Sequence, residues 1–599
     1  MRLSRIEIHN FRRIRSADIK LSPASFLIGR NNSGKSSVIK AIEALLTLVT
    51  PKPEDFHRSP NGEAEREMMI TGHFSGIPQE VSSMRGFKGR VVNGEFIHRK
   101  KFRRQEDGKV TTEIEALQYP YRFREPYNSK TKFAELCNEG FTEVQLTEWF
   151  GKPTMPSKNW ELYMPPEAGI IEWCVDQEPS WFADPGGIPQ NVNSRLPRLL
   201  HIPSFVELVD FEKADDEKKS KLGECLNLLF TSLLEGNELA NNIQALLAEL
   251  ELQMDPTQQD SLVGGMCSSI SDTIKEVFPD CGFSIRPSLQ TLNEVLKPKY
   301  QVDIVSNVPT DTGRQGTGLI RTVLFSMLRY HANTMWQLNA ERRPLLVAFE
   351  EPEIYLHPSA ANLLRDTIYA LGLSDQIVCT SHSPWMIDLS KDPQSVTRLA
   401  VDEDGAVSAF NFGVSETLRN LQEEDRCRVK MLQCFDDELS RVFFADRVIV
   451  VEGDSEQVAI NETLKKLPHE TCNEFRSSVQ VVKARGKASI ISLVRYLKAL
   501  NIPFKVIHDR DQGIEGAERF NAPILEAVGD DTRVFILEEC LEDVLGYTPP
   551  KIDKPFRVFE AFQRWNNFNQ IPARWRTLFM AMQGESGMAL AAAAMQQED

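Results

Sequence analysis

The chain has 599 residues, a formal net charge of −16 and a hydrophobic fraction of 41%. Its length predicts several domains, and its acidity disfavours a non-specific nucleic-acid coat without excluding a local basic groove. No apolar run of about 18 residues occurs and the N-terminus lacks a secretory pattern, so we expect neither a membrane span nor export. The 10 cysteines lack CxxC or His/Cys metal spacing, which predicts a cytoplasmic protein without a zinc site.

The first motif in chain order is a phosphate-binding loop. Residues 2–28 have the pattern of strands, a glycine-rich stretch follows, and a helical pattern begins directly after it. A Gly-x4-Gly-Lys-Ser match in this context predicts a P-loop, in which backbone amides surround phosphates, the lysine reaches the β and γ oxygens and the serine ligates Mg²⁺. The residues assigned to ATP here are Gly29, Asn32, Gly34, Lys35, Ser36 and Ser37.

A pair of acids follows a second apolar strand at 345–349. Two adjacent acids at a buried strand end are costly unless a metal or a reaction uses them. We therefore assign Glu350 to the Mg²⁺ of ATP and Glu351 to the attacking water. His382, after another apolar strand, is assigned to the γ-phosphate. A lone histidine there is more often a packed or capping residue. Because the two other nucleotide-binding motifs are present in the same chain, we favour contact with the γ-phosphate.

The chain alternates strands and helices again from about residue 440, which predicts a small parallel α/β domain. Acids stand at three of its predicted strand ends. Because the carboxyl ends of parallel strands share one edge of a sheet, these oxygens are expected to converge on Mg²⁺ or Mn²⁺. Each acid alone would be a solvated loop residue or helix cap, but their order and spacing favour a metal site. The acids are Glu452, Glu456, Asp509, Asp511, Glu539, Glu542 and Asp543.

The nucleotide motifs resemble those of ABC-type ATPases of the RecF/SMC kind, through the stretches "HNFRRIR", "EEPEIYLHP" and "TSHSP". In that group a glycine-rich signature of one subunit completes the ATP site of the other. The resemblance implies a dimer or higher homo-oligomer with ATP at its interface. It makes Gly316 and Gly318 in "GRQGTGLIR" the counterpart of the signature, although this stretch departs from the strict sequence. The helical pattern of 205–280 would insert between the halves of the ATPase.

The glutamate-then-DxD order resembles the TOPRIM domain of topoisomerases, primases and certain nucleases. With a RecF-like ATPase in the same chain, the whole resembles the OLD (overcoming lysogenization defect) family of nucleases. The resemblance implies an α/β fold, namely an ABC-type (P-loop) ATPase domain with a helical dimerisation insertion, followed by a TOPRIM Rossmann-like domain. The boundaries we assign are 1–200 and 286–430 for the ATPase, 201–285 for the insertion, 440–548 for TOPRIM and 549–599 for a small helical region.

This family resemblance also implies a function. It implies an ATP-regulated endonuclease with a two-metal TOPRIM site, acting on double-stranded DNA in anti-phage defence. It implies as partner a helicase subunit, as in Gabija, or a retron reverse transcriptase with its non-coding RNA. The basic residue near the transition state would be Lys554, with Arg485 and Lys487 as alternatives. The implied metal ligands are Glu452, Glu456, Asp509, Asp511 and Glu542.

Two other functions stay open from the sequence. One is a RecF/SMC-like DNA-repair ATPase whose TOPRIM unit does not cut, and the other is a TOPRIM toxin that cuts RNA. A topoisomerase or primase lacks support because no gate domain, zinc ribbon or catalytic tyrosine context occurs. Basic stretches at 9–15, 97–104 and 483–487 are candidates for DNA contact, although a charge run is usually a solvated face.

Overall fold

The computed structural model describes the two ends of the chain almost completely, over residues 1–204 and 344–583, and the middle in pieces. Within the ends, the gaps are 60–61, 85, 130–131, 152, 157–159, 165–167, 184–191, 355, 389–394, 402–404, 413–422 and 436. The described pieces of the middle are 226, 230, 238–253, 261, 265–266, 268–269, 303–305, 309–311, 322–324, 326–328 and 330. Gly316, Gly318 and most of the predicted insertion lie outside the described residues, so those assignments stay predictions.

The chain divides into two compact units, one formed by Met1–His201 with Arg343–Asp599 and the other by Ile202–Arg342. In the second unit, the described elements are the helix Glu238–Gln253 and a short antiparallel hairpin of Asp303–Val305 with Pro309–Asp311. No helix of the described residues is long and apolar enough to cross a membrane.

The N-terminal part of the first unit is rich in strands. Its strands are β1 (Arg2–Phe11), β2 (Ile14–Lys20), β3 (Ala24–Ile28), β4 (Glu67–Ser75), β5 (Val91–Val92), β6 (Glu95–Arg104), β7 (Val110–Gln118), β8 (Tyr121–Phe123), β9 (Ile171–Trp173), β10 (Ser180–Ala183) and β11 (Arg198–Ile202). Its helices are α1 (Lys35–Leu46), α2 (Gln79–Ser83), α3 (Phe133–Asn138) and α4 (Glu143–Phe150). The helix and hairpin of the second unit are α5, β12 and β13.

The chain then returns to the first unit through four strands and two helices of the described residues. These are β14 (Leu345–Glu350), α6 (Pro358–Leu371), β15 (Gln376–Ser381), β16 (Val396–Val401), β17 (Val407–Asn411) and α7 (Glu423–Phe435).

The C-terminal part alternates strands and helices, as its sequence predicts. Its strands are β18 (Arg447–Val451), β19 (Val479–Lys483), β20 (Phe504–Asp509) and β21 (Val534–Leu537). Its helices are α8 (Asp454–Leu464), α9 (His469–Ser478), α10 (Lys487–Ala499), α11 (Glu515–Glu518), α12 (Asn521–Val528), α13 (Leu541–Val544), α14 (Lys554–Phe562) and α15 (Ala573–Gln583).

Two sheets enclose the helix that follows the P-loop. The first is antiparallel, in the order β10–β7–β6–β4–β1–β2, and β5 pairs with β6. The second has the order β11–β14–β15–β3–β16–β17, with β14, β15, β3 and β16 parallel and β17 antiparallel at its edge. β14 and β15 are buried along their whole length, as parallel strands covered on both faces are. Leu3, Ile42 and Leu346 belong to one buried cluster, so α1 packs against both sheets.

The C-terminal sheet is fully parallel and has the order β19–β18–β20–β21. Helices α14 and α15 pack into the same core as its strands, where Val558, Phe562 and Trp575 lie beside Ile449 and Ile507. The indole N–H of Trp575 donates to the hydroxyl of Thr463 at 2.8 Å, which satisfies a buried polar group. The carboxyl ends of β18, β20 and β21 consequently meet at one edge of this sheet.

Candidate nucleotide and carboxylate sites

The P-loop connects the buried strand β3 to α1, and its backbone requires glycine at two places. Gly29 has a φ of +149°, and a Cβ there would lie 2.3 Å from the carbonyl oxygen of Leu399 on β16. Gly34 has a φ of +92° and caps α1, while Asn32 also adopts the left-handed region at 64°. Ser37 is buried in the first turn of α1. The helix N-terminus therefore faces the loop, as phosphate binding needs.

Lys35 is buried at the centre of this loop. Its ammonium donates to the carbonyl oxygens of Gly29, at 3.1 Å, and Arg30, at 2.9 Å. Burial lowers the pKa of Lys35 to about 8, against the opposing charges of Glu351 and Glu353. A buried cation whose direct acceptors are neutral carbonyls favours an incoming anion, because a phosphate supplies a charged acceptor.

The predicted Mg²⁺ ligands Ser36 and Glu350 are adjacent. The Ser36 hydroxyl donates to Oε2 of Glu350 at 3.3 Å, and Oε1 lies 3.1 Å from Nε2 of His201 on β11. Burial acts to raise the pKa of Glu350, but the hydrogen bonds of His201 and Ser36 outweigh it, so the pKa lies below its ordinary value. Glu350 is thus held as a carboxylate at the edge of the parallel sheet.

Glu351 and His382 also come together here. Glu351 follows β14 with a φ of 45°, and its N–H donates to the carbonyl of Thr380 at 2.9 Å. Its Oε1 lies 3.5 Å from Nε2 of His382. Burial, and then the charge of Lys35, lowers the pKa of His382, so the imidazole is neutral at physiological pH.

Two residues of this site carry no assignment from the sequence. His201 stands 149 positions before Glu350, and no local pattern marks it. Glu353 accepts hydrogen bonds from the Ser381 hydroxyl, at 2.6 Å, and from the His382 N–H, at 3.3 Å. It lies in the same acidic stretch as Glu350, which was the signal that could have found it. Burial raises the pKa of Glu353, and its contacts fix the turn that presents His382.

A second site lies at the carboxyl edge of the C-terminal sheet. Glu452 follows β18, and its Oε2 accepts a hydrogen bond from the N–H of Asp509 at 3.3 Å. Glu456, in the first turn of α8, accepts from the N–H of Gly453 at 2.9 Å. Glu542, in α13 after β21, is only 1% exposed. With Asp511 these acids form what we call the carboxylate edge: Glu452, Glu456, Asp509, Asp511 and Glu542.

The acids of the carboxylate edge act on one another electrostatically. Burial, and then the charges of the four other acids, raises the pKa of Asp509 to about 8. Burial, opposed by Lys487 and reinforced by Asp511 and Glu456, raises the pKa of Glu452 to about 7. Burial also raises the pKa of Glu456. These acids retain protons near neutral pH when no cation lies between them. A cation placed among them would stabilise their ionised form.

Lys487 supplies one positive charge to this cluster. It is 4% exposed, and its ammonium lies 2.8 Å from Oδ2 of Asp511. It also donates to Oδ1 of Asn521 at 3.0 Å and to the carbonyl of Arg510 at 3.3 Å. Asp511 has a left-handed backbone with a φ of 53°, which turns its side chain to this partner.

The donor chemistry of the carboxylate edge suits Mg²⁺ or Mn²⁺, which prefer oxygen ligands. Oδ1 of Asp509 and Oε1 of Glu542 are buried without a hydrogen-bond partner among the described residues, which is costly unless another group takes them up. As the side chains stand, no three or more His, Cys, Asp or Glu of the described residues form a group that could hold a metal ion. In this arrangement Asp511 pairs with Lys487 and Glu456 accepts from the N–H of Gly453.

The three basic candidates occupy different positions. Lys487 is buried within the site, while Lys554 is exposed at the first position of α14. Lys554 is near enough for its charge to favour the ionised form of Glu456. Arg485 precedes α10 with a φ of 54°. Both lysines are therefore within electrostatic reach of the carboxylates.

Most cations of the basic stretch at 97–104 have partners within the fold. Arg99 and Lys101 both pair with Glu115. Lys100 is buried, and its ammonium donates to two backbone carbonyls at the end of α1. Arg103 lies near two glutamates, at 3.6 and 3.5 Å. This stretch therefore stabilises the antiparallel sheet through Arg99, Lys100 and Lys101, and its last two arginines are exposed.

The two other basic stretches also contain paired cations. Arg12 lies 2.8 Å from Asp55. Lys483 lies 3.0 Å from Asp454, and Lys487 has the Asp511 partner already described. Three of the six lysines and arginines in these two segments are thus paired within the fold, while Arg13 and Arg15 are exposed.

A P-loop ATPase core joined to a parallel sheet with an acidic edge defines the class of this protein as a nuclease with an ATP-binding domain. The family described as "AAA ATPase domain" matches residues 1–387, and the one described as "Overcoming lysogenization defect protein-like, TOPRIM domain" matches residues 443–511. The chain belongs to the OLD family of nucleases. Glu542 and Lys554 lie beyond the matched TOPRIM residues.

Curated relatives are similar to this chain over most of their own length. The Old nuclease of Escherichia phage P2 is 22% identical over 85% of this chain and 77% of its own. The OLD nuclease of Thermus scotoductus is 24% identical over 93% of this chain and 94% of its own. Endonuclease GajA of Bacillus cereus is 19% identical over 78% of this chain and 69% of its own. The similarity spans both the ATPase and the TOPRIM segments.

Proposed function

We propose that this chain is an ATP-regulated, divalent-metal-dependent endonuclease that cuts double-stranded DNA in anti-phage defence. The observation that carries the proposal is the carboxylate edge, where five acids converge and two of them hold buried oxygens without hydrogen-bond partners among the described residues. Its place in a TOPRIM segment and the endonuclease named among the relatives support the same reading.

In this proposal the acids hold Mg²⁺ or Mn²⁺, which activates the attacking water and stabilises the leaving 3′ oxygen. Glu452, Asp509 and Asp511 are the ligands closest to the strand ends. Glu456 and Glu542 complete the set from the flanking helices. Lys554, exposed beside Glu456, would contact the scissile phosphate, while Lys487 balances the charge of Asp511.

The test is nicking of supercoiled plasmid by the purified chain with Mg²⁺ or Mn²⁺. We expect nicking by the wild type, none in EDTA, and none by Asp509→Asn. Asp531→Asn is the matched control, because Asp531 is an exposed acid before β21, at the opposite end of the strand. Intact plasmid in every metal and nucleotide state would contradict the proposal. Degradation of total RNA with intact plasmid would favour the RNase toxin instead.

We also propose that Mg·ATP binds at Lys35, Ser36 and Glu350, and that a second copy completes this site through Gly316 and Gly318. Nucleotide binding would control cutting. A Lys35→Ala chain that nicks without responding to ATP would indicate that ATP restrains the nuclease, and one that no longer nicks would indicate activation. A helicase subunit or a retron reverse transcriptase with its non-coding RNA is the proposed partner, to be sought by co-purification from the cytoplasm.

A further inference from the structure

A groove lies beside the carboxylate edge and is not used by the chemistry proposed above. Its volume is about 800 Å³, and α8, α9, α14 and the edge strand β19 form its walls. One wall is the face of α8 that carries Gln457, Asn461 and Lys465, spaced by four residues so that they share a face. The facing wall is α14, with Phe556 and Phe559.

One end of the groove is lined by the sequence neighbours of two proposed catalytic residues. Gln457 directly follows Glu456, and Pro555 directly follows Lys554; both line the groove. From this end it continues along α8 towards the C-terminal half of α9, where Arg476 lies. A polymer whose phosphate sat at the carboxylate edge could therefore continue into the groove without leaving the surface.

The charge of the groove is opposite to that of the chain. Arg441, Lys465 and Arg476 line it, against a single acid, Glu462. Glu462 is buried and already pairs with Lys465. Arg476 is exposed, and no acid of the described residues pairs with it. In a chain of net charge −16, this groove is a surface of local positive charge that suits a polyanion.

The aromatic residues of the groove point to unpaired bases. Phe556 is 57% and Phe559 40% exposed, and both line the groove together with Arg441, Lys465 and Arg476. Exposed aromatic rings next to cations are the combination that binds single strands, because rings stack on bases and cations meet phosphates. Bases inside a duplex do not offer their faces to such rings.

We propose that this groove binds a single-stranded segment of the nucleic acid whose scissile phosphate lies at the carboxylate edge. Phosphates contact Arg441, Lys465 and Arg476, and unpaired bases stack on Phe556 and Phe559. This proposal rests on the proposed nuclease function and assigns part of its substrate: DNA that is locally unpaired beside the cut, such as a flap or a melted region.

The experiment measures fluorescence anisotropy of a labelled oligothymidylate, with the matching duplex in parallel. The full-length chain is used in the Asp509→Asn background in EDTA, so that nothing is cut. We expect the single strand to bind more tightly than the duplex. Each of Phe556→Ala and Phe559→Ala should weaken single-strand binding by at least about fivefold, while Phe556→Trp retains it. Phe410→Ala is the control, because Phe410 is 39% exposed on β17.

The charge contribution is tested by salt. Arg476→Gln should reduce the slope of log affinity against log salt by about 0.7, the value for one phosphate of a single strand. Lys466→Gln, next to Lys465 but outside the groove, should not change it. Equal binding of single strand and duplex with no loss in the phenylalanine variants would overturn the proposal. Displacement by polyglutamate as effective as by oligothymidylate would identify an acidic-peptide site instead.

These outcomes are separable from failure of the proposed function, because binding is read without cleavage. If the wild type does not nick plasmid yet the groove variants lose single-strand binding, the groove proposal stands as a binding site and the nuclease chemistry is wrong. If the wild type nicks plasmid and the groove variants bind single strands normally, the nuclease chemistry stands and the groove proposal is wrong. Unchanged thermal unfolding of each variant shows that the fold is intact.

Discussion

Lys487 brings one positive charge into a cluster of five carboxylates from a buried position. Its partner Asp511 and its polar contacts, Asn521 and the Arg510 carbonyl, leave the ammonium well satisfied. Removing one member of a buried ion pair is costly because the other charge remains without its partner. In the absence of metal, this lysine is thus a buried counter-charge to the acids, and its charge favours the ionised form of Glu452.

We therefore expect Lys487→Gln to lower the melting temperature in EDTA, corresponding to a decrease of about 3 kcal/mol in the free energy of unfolding. Added Mg²⁺ should raise the melting temperature more in this variant than in the wild type, because the cation then supplies the missing charge. Differential scanning fluorimetry with and without Mg²⁺ measures both. Lys498→Gln is the control, since Lys498 lies on the same helix but its acceptors among the described residues are the neutral carbonyls of Ala527 and Val528. An equal Mg²⁺ response in all three proteins would contradict the role.

His98 gives a second prediction for a single residue, concerning acid stability. It is wholly buried in β6, and burial followed by the charge of Lys100 lowers its pKa to about 3. Between that value and about 6.5, the unfolded chain takes up a proton that the folded chain excludes. Stability due to this residue is therefore present above about pH 6.5 and is lost as pH falls, by at most about 1.4 kcal/mol per pH unit.

Replacing His98 by Phe, which preserves a ring beside Phe96, should flatten this acid loss. The measurement is the fall in melting temperature between about pH 7.5 and about pH 5.5, which is roughly one pH unit on either side of the pKa of a free histidine. We expect a smaller fall for His98→Phe than for the wild type. His469→Asn, at an exposed position in α9, should behave like the wild type. A steeper loss in the Phe variant would refute the assignment.

At the scale of elements, the sequence predicts well wherever an apolar strand, a polar turn and a helix follow one another. The P-loop unit of β3 and α1 and the unit of β18 and α8 are both of this kind, and both form where their sequences predict. The reason is that each pattern is local: the buried strand, the glycine turn and the first helical turn are contiguous. The carboxylate edge could be predicted for the same reason, since each acid follows a recognisable strand.

Contacts between distant segments escaped the sequence. His201 contacts Glu350 because β11 is the neighbour of β14 in the sheet. No spacing of residues in the sequence predicts that these two strands pair. The small core around Leu146, Trp160 and Ile170 is built from short helices and strands, whose few residues give no clear period. The basic stretch at 97–104 likewise could not be distinguished from a DNA surface until its acidic partners on β4 and β7 were placed.

The P-loop gives a prediction at the element scale. Gly29→Ala would place a Cβ 2.3 Å from the Leu399 carbonyl at a φ that side chains rarely adopt, so β16 and the loop must separate. We expect binding of a fluorescent ATP analogue to weaken at least about tenfold, equivalent to about 1.4 kcal/mol. Gly108→Ala is the matched control: it also has a positive φ, +81°, but no atom within 4 Å of the added Cβ. Tight ATP binding by Gly29→Ala would show that the loop tolerates the shift.

At the scale of the whole first unit, the nucleotide site and the C-terminal sheet are joined by arginines. The guanidinium of Arg30, inside the P-loop, donates to the carbonyl of Ser477 at the end of α9. Arg398 on β16 donates to the carbonyl of Ala445, at 2.6 Å, and pairs with Asp446 just before β18. Because Lys35 donates to the carbonyl of Arg30, a change in the lysine's acceptors acts on the same residue whose side chain contacts α9.

This connection predicts how ATP binding affects the activity of the nuclease domain. Arg30→Ala should bind the ATP analogue like the wild type. Adding ATP should change its plasmid nicking little, because the hydrogen bond from Arg30 to Ser477 is lost. Lys35→Ala should lose both binding and response. Arg13→Ala is the control, because Arg13 also donates to the P-loop, at the Asn32 carbonyl, without reaching α9; its ATP response should persist. A wild-type ATP response in Arg30→Ala, at full nucleotide occupancy, would show that the signal travels by another route.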